Sequence, residues 1–267
     1  MARELKNLLV NRLHDRELER VARAYVRGRL IDIGCGTKPY EALLAPYVAE
    51  HVGVDHAHTP HDPSRIDIVA SAYDIPVEDE SFDTVLCTSV LEHLEEPAAA
   101  LRESHRILRP GGIAVYSVPF IWHLHEEPRD FYRFSKYGLA YLFDKVEFEI
   151  CELKALSSFW VTFGQLLVYN LYRANRRPLS WIPVIPALGV MVQAGAYALD
   201  RLDRNEKWTW AYLVVARRSA KGASRRRDSL HTCRRRVDDD SGPVLPTPST
   251  SGSAARLPGG THGVRGG

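Results

Sequence analysis

The chain has 267 residues, of which 45% are hydrophobic and 25% are charged, a balance typical of a globular protein that buries one sizeable core. Residues 217–267 carry eleven Arg or Lys and four Asp, which leaves 24 basic and 29 acidic residues for 1–216. Such a mildly acidic body lacks the basic face that neutralises phosphates, so no nucleic-acid partner is expected. The four cysteines are far apart in the sequence, which argues against a zinc ribbon or a disulfide framework and fits a reducing cytoplasm.

An amphipathic helix is predicted at the N-terminus, followed by alternating strands and helices. Residues 1–27 mix Arg, Glu and Leu at helical spacing and lack the apolar core of a signal peptide, so export is not expected. Short apolar runs then alternate with helical stretches, the pattern of βαβ units and a parallel sheet. The predicted strands lie at about 29–33, 51–55, 66–70, 83–88 and 112–118. The clearest helix, Pro97–Leu108, is expected to end before Pro110 and Gly111, because proline cannot continue a helix.

The alternation changes beyond residue 118. The predicted elements are a polar, aromatic loop at 119–134, a helix at 135–143 and strands near 146–153 and at 208–216. Between the last two strands lies an apolar insertion, 155–207, which we expect to be helical. Residues 217–267 are dominated by Arg, Ser, Pro, Thr and Gly with little to bury, so they predict a disordered basic tail.

A glycine-rich turn follows the first predicted strand. Asp32-Ile33-Gly34-Cys35-Gly36 places two glycines after an apolar run, and glycine lets the backbone approach a ligand closely. The second strand ends in Asp55, whose carboxylate is placed to accept hydrogen bonds from both hydroxyls of a ribose. These features predict a nucleoside-containing cofactor. NAD is one alternative, but the third glycine position of its fingerprint is Pro39 here.

Five motifs in order resemble the class I S-adenosylmethionine (SAM) dependent methyltransferases, particularly the ubiquinone-type and polysaccharide-pathway enzymes. They are Asp32-x-Gly34-x-Gly36, Asp55, Ser81–Val85, Val90–Leu94 and Leu108–Gly112. The resemblance implies an α/β, Rossmann-like sheet of seven strands in the order 3-2-1-4-5-7-6, with strand 7 antiparallel. It assigns 28–154 and 208–216 to the SAM-binding domain, with the helical insertion between strands 6 and 7.

The resemblance also implies which residues hold SAM. The cofactor-binding set is Asp32, Gly34, Cys35, Gly36, Asp55, Ser71, Ala72 and Cys87. The segment that clasps adenine in this family often begins with Asp, where this chain has Ser71. A hydroxyl can still accept a hydrogen bond from the adenine amino group, and the N–H of Ala72 can donate to the ring.

No metal is expected from the sequence. Ubiquinone-type enzymes have a segment similar to Glu92-His93, but they carry a further acidic residue three positions before the Glu, where this chain has Ser89. Two of three ligands make a poor metal site, so a packing role is favoured for His93. A second group of histidines could also suggest a metal site, but nothing in the sequence fixes their geometry. We therefore expect an exposed loop that contains His51, His56, His58 and His61.

The loop at 119–134 is the candidate acceptor site, because ligands of open parallel sheets bind at the carboxyl ends of the strands. Polysaccharide-pathway enzymes of the family have a similar His, Pro, Asp, Arg sequence at this place. In the functional interpretation His125 is a general base or orients the acceptor, while Asp130 and Arg133 shape the pocket. In the structural interpretation Asp130 and Arg133 form an ion pair that fixes the loop. The sequence leaves both open.

The favoured function is methyl transfer from SAM to a small-molecule or lipid/glycan-linked acceptor, on oxygen. A non-catalytic SAM-fold subunit that docks a partner is the alternative from another class. In the insertion, Ala155–Tyr172 and Pro178–Leu199 are free of charge, yet the arginines between them oppose a membrane-crossing hairpin. We expect either a lid over the active site or a layer in the membrane interface. The protein is expected to be cytoplasmic and, in the second case, peripheral on the inner face of the membrane.

Overall fold

The computed structural model describes residues 5–57, 59, 62–174, 184–203 and 205–219. Several sequence predictions lie outside the described residues. They concern His58, His61, the arginine-rich segment within 175–183, and the tail at 220–267.

Seven strands form one sheet in the order β3-β2-β1-β4-β5-β7-β6. The strands are β1 (Arg29–Ile33), β2 (Glu50–Asp55), β3 (Ile68–Val69), β4 (Phe82–Thr88), β5 (Leu108–Pro119), β6 (Phe148–Ala155) and β7 (Ala211–Arg218). The first five strands pair in parallel, whereas β7 pairs antiparallel with both β5 and β6. The predicted fold class is confirmed, including the reversed strand.

Helices cover both faces of this sheet. They are α1 (Leu8–Tyr25), α2 (Glu41–Leu44), α3 (Pro97–Ile107), α4 (Lys136–Lys145), α5 (Phe159–Ala174) and α6 (Val184–Asp200). Alternate residues of a strand enter opposite layers: Ile31 packs in a cluster with residues of α3 and α4, while Leu30 packs with residues of α1 and α5. Because both faces are buried, the strands are continuous apolar runs rather than alternating ones.

The last strand lies further along the chain than predicted. Trp208 belongs to a 3-10 turn at Glu206–Trp208, and β7 runs on to Arg218. The predicted tail boundary at 217 is therefore wrong, because Arg218 is buried and its guanidinium binds Glu80 and the carbonyl oxygens of Arg106 and Leu108. A charged residue can be buried at the end of a strand when its head group finds such partners.

The insertion is a pair of helices packed on the N-terminal segment. α5 and α6 contact each other closely, since a Cβ on Gly164 would lie 2.6 Å from that of Ala196. The buried amide of Gln165 donates to the backbone oxygen of Lys6, and the buried amide of Gln193 donates to that of Leu5. Among the described residues no helix combines the length and apolar character needed to cross a bilayer.

Candidate active site

The glycine-rich turn is held against the end of β2. Gly34 and Gly36 have φ values of +71° and +49°, which residues with a Cβ rarely adopt. The backbone N–H groups of Gly34 and Cys35 both donate to the carbonyl oxygen of Val54, at 2.8 and 3.0 Å. A Cβ on Gly34 would lie 2.3 Å from Cγ2 of Val90, so the turn leaves no room for a side chain there.

Asp55 stands at the carboxyl end of β2, beside that turn. Its carboxylate accepts hydrogen bonds from the N–H groups of Gly36, at 2.9 Å, and His56, at 2.7 Å. The hydroxyl of Thr59 lies 3.4 Å from the same group. A carboxylate offers about four acceptor positions, so Asp55 keeps capacity for hydroxyl donors of a ligand while two backbone donors fix its orientation.

A buried polar cluster supports the turn from beneath. Oδ2 of Asp32 lies 3.1 Å from Nε2 of His51, and burial raises the pKa of Asp32 while His51 opposes the rise. Nζ of Lys38 donates to the carbonyl oxygen of His51 and to Oδ2 of Asp67. The expectation that His51 belongs to an exposed loop is wrong, because its imidazole is buried in β2 against Asp32.

The other predicted cofactor residues lie along the same edge or beneath it. Ser71 and Ala72 follow β3, and the hydroxyl of Ser71 accepts from the N–H of Tyr73 at 3.2 Å. Burial raises the pKa of the Cys35 thiol to about 12 and that of Cys87 well above its usual range, so both cysteines are neutral thiols. A direct contact of Cys87 with SAM stays a prediction.

The loop after β5 is fixed to the turn that follows β4. The backbone N–H groups of Phe131 and Tyr132 donate to the carbonyl oxygen of Glu92, at 3.0 and 3.2 Å. Arg133 binds both carboxylate oxygens of Asp130, at 2.6 and 2.7 Å, and the N–H of His125 donates to the same carboxylate at 2.9 Å. These bonds hold the pKa of Asp130 well below its usual range. The ion pair of the structural interpretation is thus present, and it also orients His125.

Three polar side chains meet where this loop crosses the turn after β4. Nε2 of His93 lies 3.7 Å from Oε1 of Glu92, and Nε2 of His125 lies 3.8 Å from the same oxygen. Glu92 is 0% exposed, and burial raises its pKa to about 8. Burial and the neighbouring His93 lower the pKa of His125. The three residues form a group of potential metal ligands.

The insertion reaches this loop through one aromatic residue of α5. The ring of Tyr169 lies 4.3 Å from that of His123 and 5.4 Å from that of Trp122, centroid to centroid. Trp122 in turn packs on Trp210, directly before β7. The helical pair therefore borders the loop after β5.

Comparison with known proteins agrees with this geometry. The family model described as a methyltransferase domain matches residues 31–116. A ubiquinone biosynthesis O-methyltransferase of Ruegeria pomeroyi is 34% identical over 113 residues, which cover 39% of this chain and 45% of that protein. One from Stutzerimonas stutzeri is 27% identical over 125 residues, covering 43% and 51%. Residues 31–116 of this chain therefore form a methyltransferase domain of the SAM-dependent class. The chain spans about half the length of these curated relatives.

The fold of solved methyltransferases agrees as well. The structure of a putative methyltransferase from Bacillus halodurans aligns with a TM-score of 0.51 at 15% identity, covering 77% of this chain and 99% of that one. The cofactor of the family is SAM, and the residues present fit it. The turn at Gly34 excludes a side chain, and Asp55 retains acceptor capacity for the ribose.

Sequence reasoning singled out three of the residues that the structure brings together here, but it gave no role in the site to Glu92 or His93. The structure brings His125, Asp130 and Arg133 together as predicted from the loop pattern. Glu92 was considered only as half of an incomplete metal motif, although it lies at the centre of the cluster with His93 and His125. Its position next to His93 was the available signal, but the sequence could not show that a loop more than thirty residues later crosses it.

Proposed function

We propose that this methyltransferase transfers a methyl group from SAM to an oxygen atom of its acceptor. The observation that carries the proposal is the arrangement of two half-sites along one edge of the sheet. The turn at Gly34–Gly36 and Asp55 lie at the ends of β1 and β2, and the loop bearing His125 lies at the ends of β4 and β5. In open α/β sheets this edge is where ligands bind.

The chemistry needed from the protein is modest. SAM supplies an activated methyl group on a sulfonium, so the chain must align the acceptor in line with it and remove a proton where the acceptor is a hydroxyl. Asp130 and Arg133 hold the backbone around His125, which gives the imidazole a fixed place from which to orient the acceptor or accept its proton. Trp122 and Tyr169 supply aromatic surface that helps to keep water from the reacting atoms.

The rival functions explain this arrangement less well. A non-catalytic SAM-fold subunit has no need of a buried carboxylate and two imidazoles gathered beside the cofactor edge. A dinucleotide oxidoreductase needs a tight helix start beneath the pyrophosphate, whereas Pro39 follows the turn and α2 is only four residues long. Both observations support a methyl-transfer enzyme.

We also propose that the acceptor is lipid-linked and that the helical pair meets the membrane interface. The support is a set of exposed apolar side chains on α5 and α6, among them Phe163 at 50% and Met191 at 63% exposure. Monomeric soluble proteins rarely gather large apolar side chains in one exposed patch without a partner. The same helices border the acceptor loop through Tyr169, so a lipid-borne acceptor would arrive close to the site.

A methyl-acceptor screen tests the enzymatic proposal. Purified protein is incubated with SAM and a panel of phenols, sugars and polyprenyl-linked glycans, and formation of S-adenosylhomocysteine (SAH) is measured. We expect acceptor-dependent SAH formation with at least one oxygen nucleophile. SAH binding without turnover on any acceptor class would favour the non-catalytic subunit, and failure to bind SAH would overturn the proposal.

Liposome flotation tests the membrane proposal. The chain is truncated after Ser219, which removes basic residues but keeps Arg218 in β7. We expect this form to float with anionic vesicles, and Phe163→Glu combined with Met191→Glu to abolish flotation. Tyr137→Glu is the matched control, because Tyr137 is an exposed aromatic residue of α4 on the opposite layer of the sheet. No flotation of the truncated chain would leave the helical pair as a lid only.

A further inference from the structure

We propose that Glu92, His93 and His125 bind a divalent transition-metal ion, of which Zn²⁺ is the best match. Metal binding does not depend on the proposed function, whereas the role of the ion in the reaction rests on that function. The sequence predicted no metal because Ser89 replaces the acid of the ubiquinone-type motif. The structure changes that expectation, since the loop after β5 delivers a third ligand from another part of the chain.

The spacing of the three donor atoms fits a small ion. One potential ligand atom from each residue lies within 4.8 Å of the other two, and Oε1 of Glu92 is 3.7 and 3.8 Å from the two Nε2 atoms. Bonds of about 2.0–2.2 Å in a tetrahedral site put neighbouring ligand atoms roughly 3.4 Å apart. The distances from Oε1 of Glu92 to the two Nε2 atoms therefore need to shorten by only a few tenths of an ångström when the ion binds. Two imidazoles and one carboxylate are also a donor set that zinc enzymes use.

Hydrogen bonds on the far side of each ring favour ligation through Nε2. Nδ1 of His93 donates to the carbonyl oxygen of Arg129, because a carbonyl can only accept. A neutral His93 therefore has its lone pair on Nε2, which is buried without a hydrogen-bond partner. Nδ1 of His125 lies 3.3 Å from the carbonyl oxygen of His123 and 3.4 Å from Oδ2 of Asp130. A metal-bound histidine usually has this kind of carbonyl or carboxylate partner on its other nitrogen.

Glu92 is the residue that most needs a cation. Both of its carboxylate oxygens are buried without a hydrogen-bond partner, an arrangement that costs several kcal/mol for a lone charge. The nearby guanidinium of Arg133 does not supply the missing partner. Its five N–H groups have other acceptors, namely Asp130 and the carbonyl oxygens of Trp122, His123 and Tyr132. A divalent ion would satisfy the Glu92 carboxylate and the two imidazoles at once.

The location suggests what the ion would do. The three residues lie after β4 and in the loop after β5, where the acceptor of a methyltransferase of this fold is expected. Glu126, with Oε2 3.8 Å from Nε2 of His93 and a side chain that is 53% exposed, stands at the rim of the cluster. An acceptor hydroxyl bound to the ion would release its proton to solvent more readily, because a divalent ion lowers the pKa of a coordinated oxygen. In this assignment His125 holds the ion and thereby orients the acceptor.

Metal titration of the full chain without a histidine tag tests the proposal. The protein is stripped with a chelator, and Zn²⁺ binding is measured by competition with a chromophoric chelator; Co²⁺ is then added as a spectroscopic probe of coordination. We expect one saturable site in the wild type, weakened at least tenfold in Glu92→Gln and in His125→Gln. His123→Gln is the matched control, because His123 lies in the same loop outside the cluster, and it should bind as the wild type does.

Two results would overturn the proposal. One is the absence of a saturable site in the wild type, and the other is equal affinity in the wild type and in folded Glu92→Gln and His125→Gln, which would place the ion on surface histidines. Thermal melting checks the fold of each variant. If Glu92→Gln fails to fold, His125→Gln decides, since His125 lies in a loop with its side chain 23% exposed. SAH binding by the stripped protein, measured in parallel, separates failure of the metal site from failure of the proposed function.

Discussion

Replacing Asp55 by Asn perturbs the cofactor site with the least change of shape. The carboxylate loses its charge and one of its two acceptor oxygens. Each oxygen now accepts from a backbone N–H, of Gly36 and of His56, and the remaining acceptor positions are assigned to the ribose hydroxyls. A hydrogen bond to a charged group contributes about 1.5–3 kcal/mol. We therefore expect the dissociation constant of SAH to rise roughly ten- to hundredfold.

The same substitution also affects the fold. The Asn amide has one oxygen, so its NH₂ group must face either the N–H of Gly36 or that of His56. A buried donor left without an acceptor costs about 1–3 kcal/mol, so a lower melting temperature is expected. Asp55→Ala removes both acceptors, so the structure predicts a larger loss of stability for it than the sequence alone suggests.

Isothermal titration calorimetry with SAH measures the effect, at a temperature below the melting transition of every variant. Asp62→Asn is the matched control. Asp62 lies in the same loop region, is exposed and accepts from the N–H of Ser64, so its SAH affinity should equal that of the wild type. A folded Asp55→Asn variant whose dissociation constant stays within twofold of the wild type would refute the assignment of Asp55 to the ribose.

Three further substitutions, one of them paired with a control substitution, test other parts of the account. Gly34→Ala should abolish detectable SAH binding or lower the melting temperature by several degrees, whereas Gly195→Ala, with open space around its Cβ, should be neutral or slightly stabilising by calorimetry. Tyr116→Phe should cost about 1–2 kcal/mol in urea unfolding, because the hydroxyl of Ser104, now 2.7 Å from that of Tyr116, loses its partner; no change in unfolding free energy would contradict this. His125→Ala should lower methyl-transfer turnover about a hundredfold or more with SAH affinity unchanged, and wild-type turnover would leave His125 a purely structural residue.

The cofactor half of the site could be predicted because local sequence determines it. A strand running into Gly34 and Gly36, and a second strand ending in Asp55, must bring those residues to one edge of a parallel sheet. The hydrogen bond between Gly36 and Asp55 is the direct consequence of that register.

The acceptor half depends on contacts between distant segments, and there the sequence was insufficient. Periodicity marks Glu92 and His93 as a turn and His125 as part of a loop, but it contains no information on how the loop folds back. Two backbone hydrogen bonds to the carbonyl oxygen of Glu92 make that connection. Similarly, the polar character of Arg218 suggested a tail, although its guanidinium is satisfied by Glu80 and two carbonyl oxygens at the end of β7.

A crystal structure of the SAH complex tests the central claim most directly. We expect the ribose hydroxyls within hydrogen-bonding distance of the Asp55 carboxylate, the methionine part against Gly34–Gly36, and the sulfur directed toward the loop that carries His125. Density for SAH at another place, or a ribose that makes no contact with Asp55, would contradict the account.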